Sequence, residues 1–165
     1  MEKVKLGLIG LGTVGSGVVK VLKDFPEIEI KKIAVKNINK KRNIDNLDTS
    51  ILTTDPFEIV NDKEIDIIVE VIGGTDPAYN LLKTAINNGK HIVTANKELL
   101  AKNGQELFNL ANKKNTAILY EAAIAGGIPI IMPIKTTLAG NKINKIEAIL
   151  NGTTNYILTK MEEDG

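Results

Sequence analysis

Gly10, Gly12 and Gly15 stand at the spacing G-x-G-x-x-G, straight after an apolar run from Val4 to Ile9 and at the opening of a helical pattern. Three glycines at that spacing are common in turns, so their placement carries the reading. Behind a buried strand, Gly10 allows a tight turn, Gly12 lets backbone approach a pyrophosphate, and Gly15 lets helix and strand pack closely. Leu11, Thr13 and Val14 complete the turn and the first helical residues. There, unpaired N–H groups and the positive end of the helix dipole suit an anion. A strand-to-helix turn without a ligand is the competing reading; the setting favours a dinucleotide site. Val14, Val18, Val21 and Leu22 are expected on the buried side of that helix.

The residues about 20 positions later bear on which dinucleotide. A site for NAD usually has a carboxylate at the end of the second strand to hold the ribose 2′-hydroxyl. Here Val35-Lys36-Asn37 holds none, and Lys36, Lys40, Lys41 and Arg42 follow. A cation 4 Å from a phosphate charge contributes about 4 kcal/mol at an effective dielectric of 20, before desolvation. NADP is therefore expected over NAD, with Lys36 and Arg42 as contacts, against the alternative of a solvated basic loop. Gly73, Gly74 and Thr75 close a central strand, where small residues and a hydroxyl can approach the ribose and nicotinamide side; a plain strand-to-helix turn is the competing reading. Lys97 follows a strand at the same edge and can reach a ribose or a substrate carboxylate, unless it simply snorkels at the surface. His91 is the single histidine, yet it lies in a short strand toward the amino-terminal side of the site and is expected to have no chemical role. Tyr120 is expected to pack rather than react.

The elements needed to position these groups alternate along the chain. Strand patterns at Val4 to Ile9, Ile28 to Val35, Ser50 to Thr54, Ile65 to Ile72, His91 to Thr94 and Thr116 to Tyr120 are separated by helical ones. Asp55-Pro56-Phe57-Glu58 reads as a capped helix start. Asp76-Pro77 opens another helix, with Leu81, Leu82, Ala85 and Ile86 inward and Gly89 as its stop. A helix over Leu99 to Ala111 is expected to break near Asn103-Gly104, and Lys36 to Asp48 to form a loop. The fold class is thus α/β: a Rossmann-type doubly wound parallel sheet in the order 3-2-1-4-5-6, followed by the beginning of a second α+β domain. The nucleotide-binding domain is expected over residues 1–130 and the second domain over 131–165. Beyond residue 121, Ile128 to Leu138 looks helical, Ile143 to Leu150 reads as a strand and Thr153 to Glu163 as a helix; the sequence is expected to hold only the beginning of the second domain.

Composition sets the limits. With 165 residues, the chain can bury roughly 70% of its extended surface without disulfides or structural metal. A net charge of +1 offers no general attraction to nucleic acid or membrane. The absence of cysteine excludes thiol chemistry. No apolar run approaches the ~20 residues of a membrane span, and no leader pattern is present, so a cytoplasmic protein is expected.

Four segments go beyond a generic fold: Glu70-Val-Ile-Gly-Gly-Thr75, Val93-Thr-Ala-Asn-Lys97, Tyr120-Glu-Ala-Ala-Ile-Ala-Gly-Gly-Ile-Pro129 and Leu150-Asn-Gly-Thr-Thr-Asn-Tyr-Ile-Leu158. In this order, after the glycine turn, they resemble homoserine dehydrogenase along the whole chain. The resemblance implies NAD(P)-dependent interconversion of L-homoserine and L-aspartate 4-semialdehyde, on the way to threonine and methionine. It places Lys97 at the junction of cofactor and substrate. It also implies a sodium ion held by the Glu121 carboxylate with main-chain oxygens of Ile124, Gly126 and Ile128; a glutamate that merely caps nearby N–H groups is the other reading of Glu121. A proton-relaying lysine and the acids that hold homoserine are expected beyond Gly165, so no catalytic residue is assigned and the piece alone is expected to turn over little. Asn151 to Asn155 marks the entry to the second domain, its small polar residues expected to line the cleft. The whole protein is expected to be a homodimer acting on a small molecule, paired through that domain, with apolar surface exposed around Ile143 to Leu158 in the fragment. Another amino-acid dehydrogenase, such as aspartate dehydrogenase, and a non-catalytic nucleotide sensor are the competing functions.

Overall fold

A computed structural model describes residues 3–148 and 152–164 and divides into two compact units, Met1–Leu119 and Tyr120–Gly165. The first is built on six strands: β1 (Val4–Ile9), β2 (Ile28–Ala34), β3 (Leu52–Thr53), β4 (Ile67–Glu70), β5 (His91–Thr94) and β6 (Ile118–Leu119). They lie in the order β3-β2-β1-β4-β5-β6 with every neighbouring pair parallel, as the alternating patterns predict. The chain winds outward from β1 in one direction and from β4 in the other. The two central strands therefore flank a switch point at their carboxyl ends, where an open sheet of this kind leaves a crevice.

The helices of this unit are α1 (Thr13–Leu22), α2 (Pro56–Asn61), α3 (Ala78–Asn87) and α4 (Lys97–Lys114). Leu6 and Leu8 of β1 join Ile33, Val35, Val69, Val19 of α1 and Ile44 in one buried cluster. On the other face, a methyl group on Gly7 would run into the side chain of Ile59, so the glycine lets α2 lie directly on the strand. Ile68, Leu81, Leu82, Ile86, Ile92, Leu99 and Leu107, all fully buried, continue that layer beneath α3 and α4.

Local chemistry explains the helix ends. The Asp55 carboxylate accepts from the N–H of Phe57 at 2.8 Å, with Pro56 in the first turn, as the sequence predicts. Helix α3 begins one residue later than expected, at Ala78, with the Thr75 carbonyl accepting from Tyr79. Gly89, at φ +78°, ends it.

Two expectations about helices are corrected. Helix α1 does not bury Val14 and Val21, which are 55% and 59% exposed; its inward side is Gly15, Val18, Val19 and Leu22. The face starts at a residue with no side chain, and a count of apolar side chains misses it. Helix α4 runs unbroken through Asn103-Gly104, because Gly104 faces the interior and a single glycine costs a long helix only about 1 kcal/mol.

The second unit contains a 3₁₀ turn at Glu121–Ala123, a π-type turn at Pro133–Thr137 and helix α5 (Gly152–Asp164). The helical pattern seen over Ile128 to Leu138 is thus realised only in its later part. The strand expected over Ile143 to Leu150 is not formed at residues 143–148, which have neither helix nor strand; Ile149 and Leu150 lie outside the described residues. Alternating β-branched residues need a neighbouring strand to take up their backbone groups, and none is paired there among the described residues. Ile143, Ile146, Tyr156, Ile157 and Leu158 are exposed, as expected. No helix among the described residues is long and apolar enough to cross a membrane.

Candidate functional site

The glycine turn sits at the carboxyl end of β1. Gly10 has φ +106° and donates its N–H to the Ala34 carbonyl at 3.0 Å, which bends the chain off the strand. A methyl group at Gly15 would collide with the Gly10 carbonyl, so only glycine permits α1 to start this close to β1. Gly12 is different: a Cβ built on it meets nothing within 4 Å. It occupies the cap position of α1 without a side-chain cap, and the first turn contains no acidic residue. Thr13 and Val14 are exposed beside it. The helix start therefore presents backbone donors toward open space, with no carboxylate in the turn to repel an anion.

A cavity of about 350 Å³ continues from this turn toward β2, lined by Gly10, Leu11, Gly12, Lys36, Lys40 and Arg42 among others. Lys36 and Lys40 are exposed. Arg42 is held differently from expectation. Its guanidinium donates to the carbonyls of Asn37 at 2.7 Å, Lys40 at 2.9 Å and Ile38 at 3.4 Å, and its Nε is buried with no hydrogen-bond partner among the described residues. Together with the buried Ile44 and the bond from Lys23 Nζ to the Asp45 carbonyl at 2.6 Å, this ties the 36–48 segment into a shaped wall.

Gly73 and Gly74, at φ +72° and +73°, form the turn after β4 with open space where side chains would stand. Thr75 is partly exposed and leads into α3. Lys97 is the first residue of α4, exposed, with no ion-pair partner among the described residues. The Asn96 side chain caps that helix, accepting from Leu99 N–H at 3.1 Å. The turns after β1, β2, β4 and β5 thus occupy one edge of the parallel sheet, bringing the glycine cradle, Lys36, Gly73–Thr75 and Lys97 to the same side. Sequence reasoning passed over Glu70 and Asn96, whose importance lies in contacts between strands; an asparagine directly before a helical run was the legible part of that signal.

His91 sits at the opposite end of β5. Its Nδ1 accepts from the Ala117 N–H at 3.0 Å, a structural bond between neighbouring strands. Lys90, buried beside it, donates to the Asp62 and Ile65 carbonyls. Burial first of all holds its ammonium below the ordinary lysine range, against the opposing pull of Asp62 and Asp66.

In the second unit, the Glu121 carboxylate accepts from the N–H groups of Ile130, Ile131 at 2.8 Å and Met132 at 2.9 Å. The bond from Ile130, aided by those from Met132 and Ile131, holds it below the ordinary carboxylate range despite partial desolvation. Between them the chain turns through Ala125 and Gly126, both at positive φ. Tyr120 packs its ring against the Lys135 ammonium, 4.8 Å from the ring centre. Among the described residues no cluster of His, Asp and Glu side chains could hold a metal ion. Asn151 of the Asn-Gly-Thr-Thr-Asn segment lies outside the described residues.

Residues 10–121 match the sequence profile described as the NAD-binding domain of homoserine dehydrogenase, and residues 129–165 match that described as homoserine dehydrogenase. A homoserine dehydrogenase of Synechocystis is 49% identical over 98% of the chain and 39% of its own length. Among solved structures, a homoserine dehydrogenase from Thiobacillus denitrificans is 45% identical, with a TM-score of 0.88 over 99% of this chain and 39% of that one. A hyperthermophilic archaeal homoserine dehydrogenase, in complex with NADPH, is 28% identical with a TM-score of 0.82 over 99% of this chain and 57% of that one. The chain thus spans about two-fifths of the length of the curated relatives it matches.

Proposed function

The chain belongs to the homoserine dehydrogenase family, and from that premise we propose that it is the cofactor-binding part of an oxidoreductase that interconverts L-homoserine and L-aspartate 4-semialdehyde, on the way to threonine and methionine. The observation that carries the reading is the hollow above Gly12, where an uncapped helix start meets open space at the switch point of the sheet. A nicotinamide dinucleotide fits there, and when bound it supplies or accepts the hydride. The chain's own residues bind and orient it. Backbone N–H groups of residues 12–15 hold the diphosphate, Gly73, Gly74 and Thr75 let the ribose and nicotinamide end lie close to backbone, and Lys97 offers a cation at the substrate side.

NADP is the preferred form in this proposal. No carboxylate stands at the end of β2 to compete for the 2′ position, and Lys36 lines the cavity with no ion-pair partner among the described residues, with Lys40 beside it. Arg42 contributes charge while its fork holds the wall in shape. A sodium ion held by the Glu121 carboxylate with carbonyl oxygens of Ile124, Gly126 and Ile128 belongs to the same proposal. The Glu121 carboxylate has no cationic partner among the described residues, but its oxygens are taken up by N–H groups, so it lends charge to that segment. Residues 1–130 would form the nucleotide domain and 131–165 the start of a substrate and dimer domain, in a cytoplasmic homodimer.

Titration of the chain with NADPH and NADH tests the reading. NADPH is expected to bind at least about tenfold more tightly, a difference of 1.4 kcal/mol, and Lys36→Glu to reverse most of that preference. Absence of affinity for either nucleotide would overturn the assignment.

A further inference from the structure

Glu70, the last residue of β4, is fully buried and has no ion-pair partner among the described residues, although a carboxyl group in that position is costly unless every oxygen is satisfied. Four donors meet it. Its Oε1 accepts from the N–H groups of Ile72 at 2.9 Å and Gly73 at 3.3 Å and from Asn96 Nδ2 at 3.4 Å, and its Oε2 from Thr94 Oγ1 at 2.7 Å. Thr94 is its direct neighbour across β4 and β5. The Thr94 hydroxyl in turn accepts from Asn96 N–H at 3.0 Å, and Asn96 Nδ2 also donates to the Gly74 carbonyl at 2.6 Å. Packing at this position would be met by an apolar residue. What the carboxyl adds is a bridge between two loops: the turn carrying Gly73, Gly74 and Thr75, and the approach to α4 carrying Lys97. Ile72 lines the cavity beside the 36–42 wall, but among the described residues none of the bridge's hydrogen bonds reaches that wall.

We propose that Glu70, acting through Thr94 and Asn96, is a positioning residue that sets the nicotinamide half of the cofactor site and leaves the adenosine half untouched. The inference rests on the dinucleotide reading above and deepens it. A glutamine at 70 offers one acceptor oxygen where the carboxylate offers two, and a valine at 94 removes the hydroxyl that joins Glu70 to Asn96 while keeping the side chain's shape.

The test compares two ligands on the 165-residue chain: NADPH, and 2′-phospho-ADP-ribose, which lacks only the nicotinamide. Calorimetry gives both affinities and the nicotinamide emission of bound NADPH reports on that half directly. Glu70→Gln and Thr94→Val are each expected to weaken NADPH about tenfold, as loss of one or two buried hydrogen bonds implies, and to lower its bound emission. The affinity for 2′-phospho-ADP-ribose should stay within about twofold of the parent value. Thr94→Val, the milder change, decides the matter if Glu70→Gln folds poorly. Equal loss for both ligands, or unchanged NADPH affinity and emission in both variants, would overturn the positioning role while the dinucleotide site stands. An unsubstituted chain that binds neither ligand would overturn both.

Discussion

Gly12 and Gly15, three positions apart, answer to different demands. A methyl group at Gly15 meets a backbone carbonyl that cannot move aside without shifting the β1 turn. Gly15→Ala is therefore expected to cost about 1–3 kcal/mol of stability, seen as a lower midpoint in thermal or urea unfolding. A methyl group at Gly12 meets nothing in the protein, and the backbone there is extended at φ −86°. Gly12→Ala should unfold like the parent yet bind NADPH more than about tenfold less tightly, because the methyl would fill the space where the proposed site holds the diphosphate. Matched calorimetry and unfolding on the two variants separates the roles. At this scale the glycine turn was legible, because backbone requirements are local. Arg42 was legible as a charge but not as a strut, since its three acceptors depend on how residues 37–40 curl back. Glu70 was the least visible: one of two acids in the apolar run from Ile65 to Ile72, it becomes meaningful only when Thr94 and Asn96, more than 20 residues away, arrive beside it.

Among the elements, α4 is the one whose sequence argued against its own continuity. Gly104 lies inside it, buried, and a Cβ there would stand 3.4 Å from the Phe108 ring and 3.7 Å from Leu100 Cβ, ordinary contact distances. Gly104→Ala should therefore stabilise the unit by about 0.5–1 kcal/mol through helix propensity, raising the thermal midpoint by roughly 2–4 °C per kcal/mol. A fall in the midpoint would mean the Phe108 ring cannot give way. The strands and their order were readable because each central strand is bounded by turn residues and alternates with a helix. The inward face of α1 was not, since Val14 and Val21 are as apolar as Val19 and only packing against β1 distinguishes them. The 143–148 segment shows the complementary limit: its pattern suits a strand, but pairing is supplied by another part of the chain or not at all.

For the molecule as a whole, exposure and bonding separate a well-packed sheet unit from residues 142–148, all exposed and without regular structure. Trypsin is expected to cut after Lys142 and Lys145 first and to leave a resistant product containing the sheet, which retains NADPH binding. Cleavage in the basic stretch 36–42 should be slower, because Arg42 and Ile44 anchor it, and slower again with NADPH present; mass spectrometry of a digestion time course reads both. Initial cutting within 36–42 would contradict the anchored wall. That wall has a consequence for how such a protein changes over time. Every bond made by the Arg42 guanidinium stays within its own few residues, so the stretch behaves as a cassette whose shape travels with it. Exchanging it for a differently charged cassette would retune coenzyme choice in a single step, while the far end of the crevice, braced on other strands, would inherit its geometry unaltered.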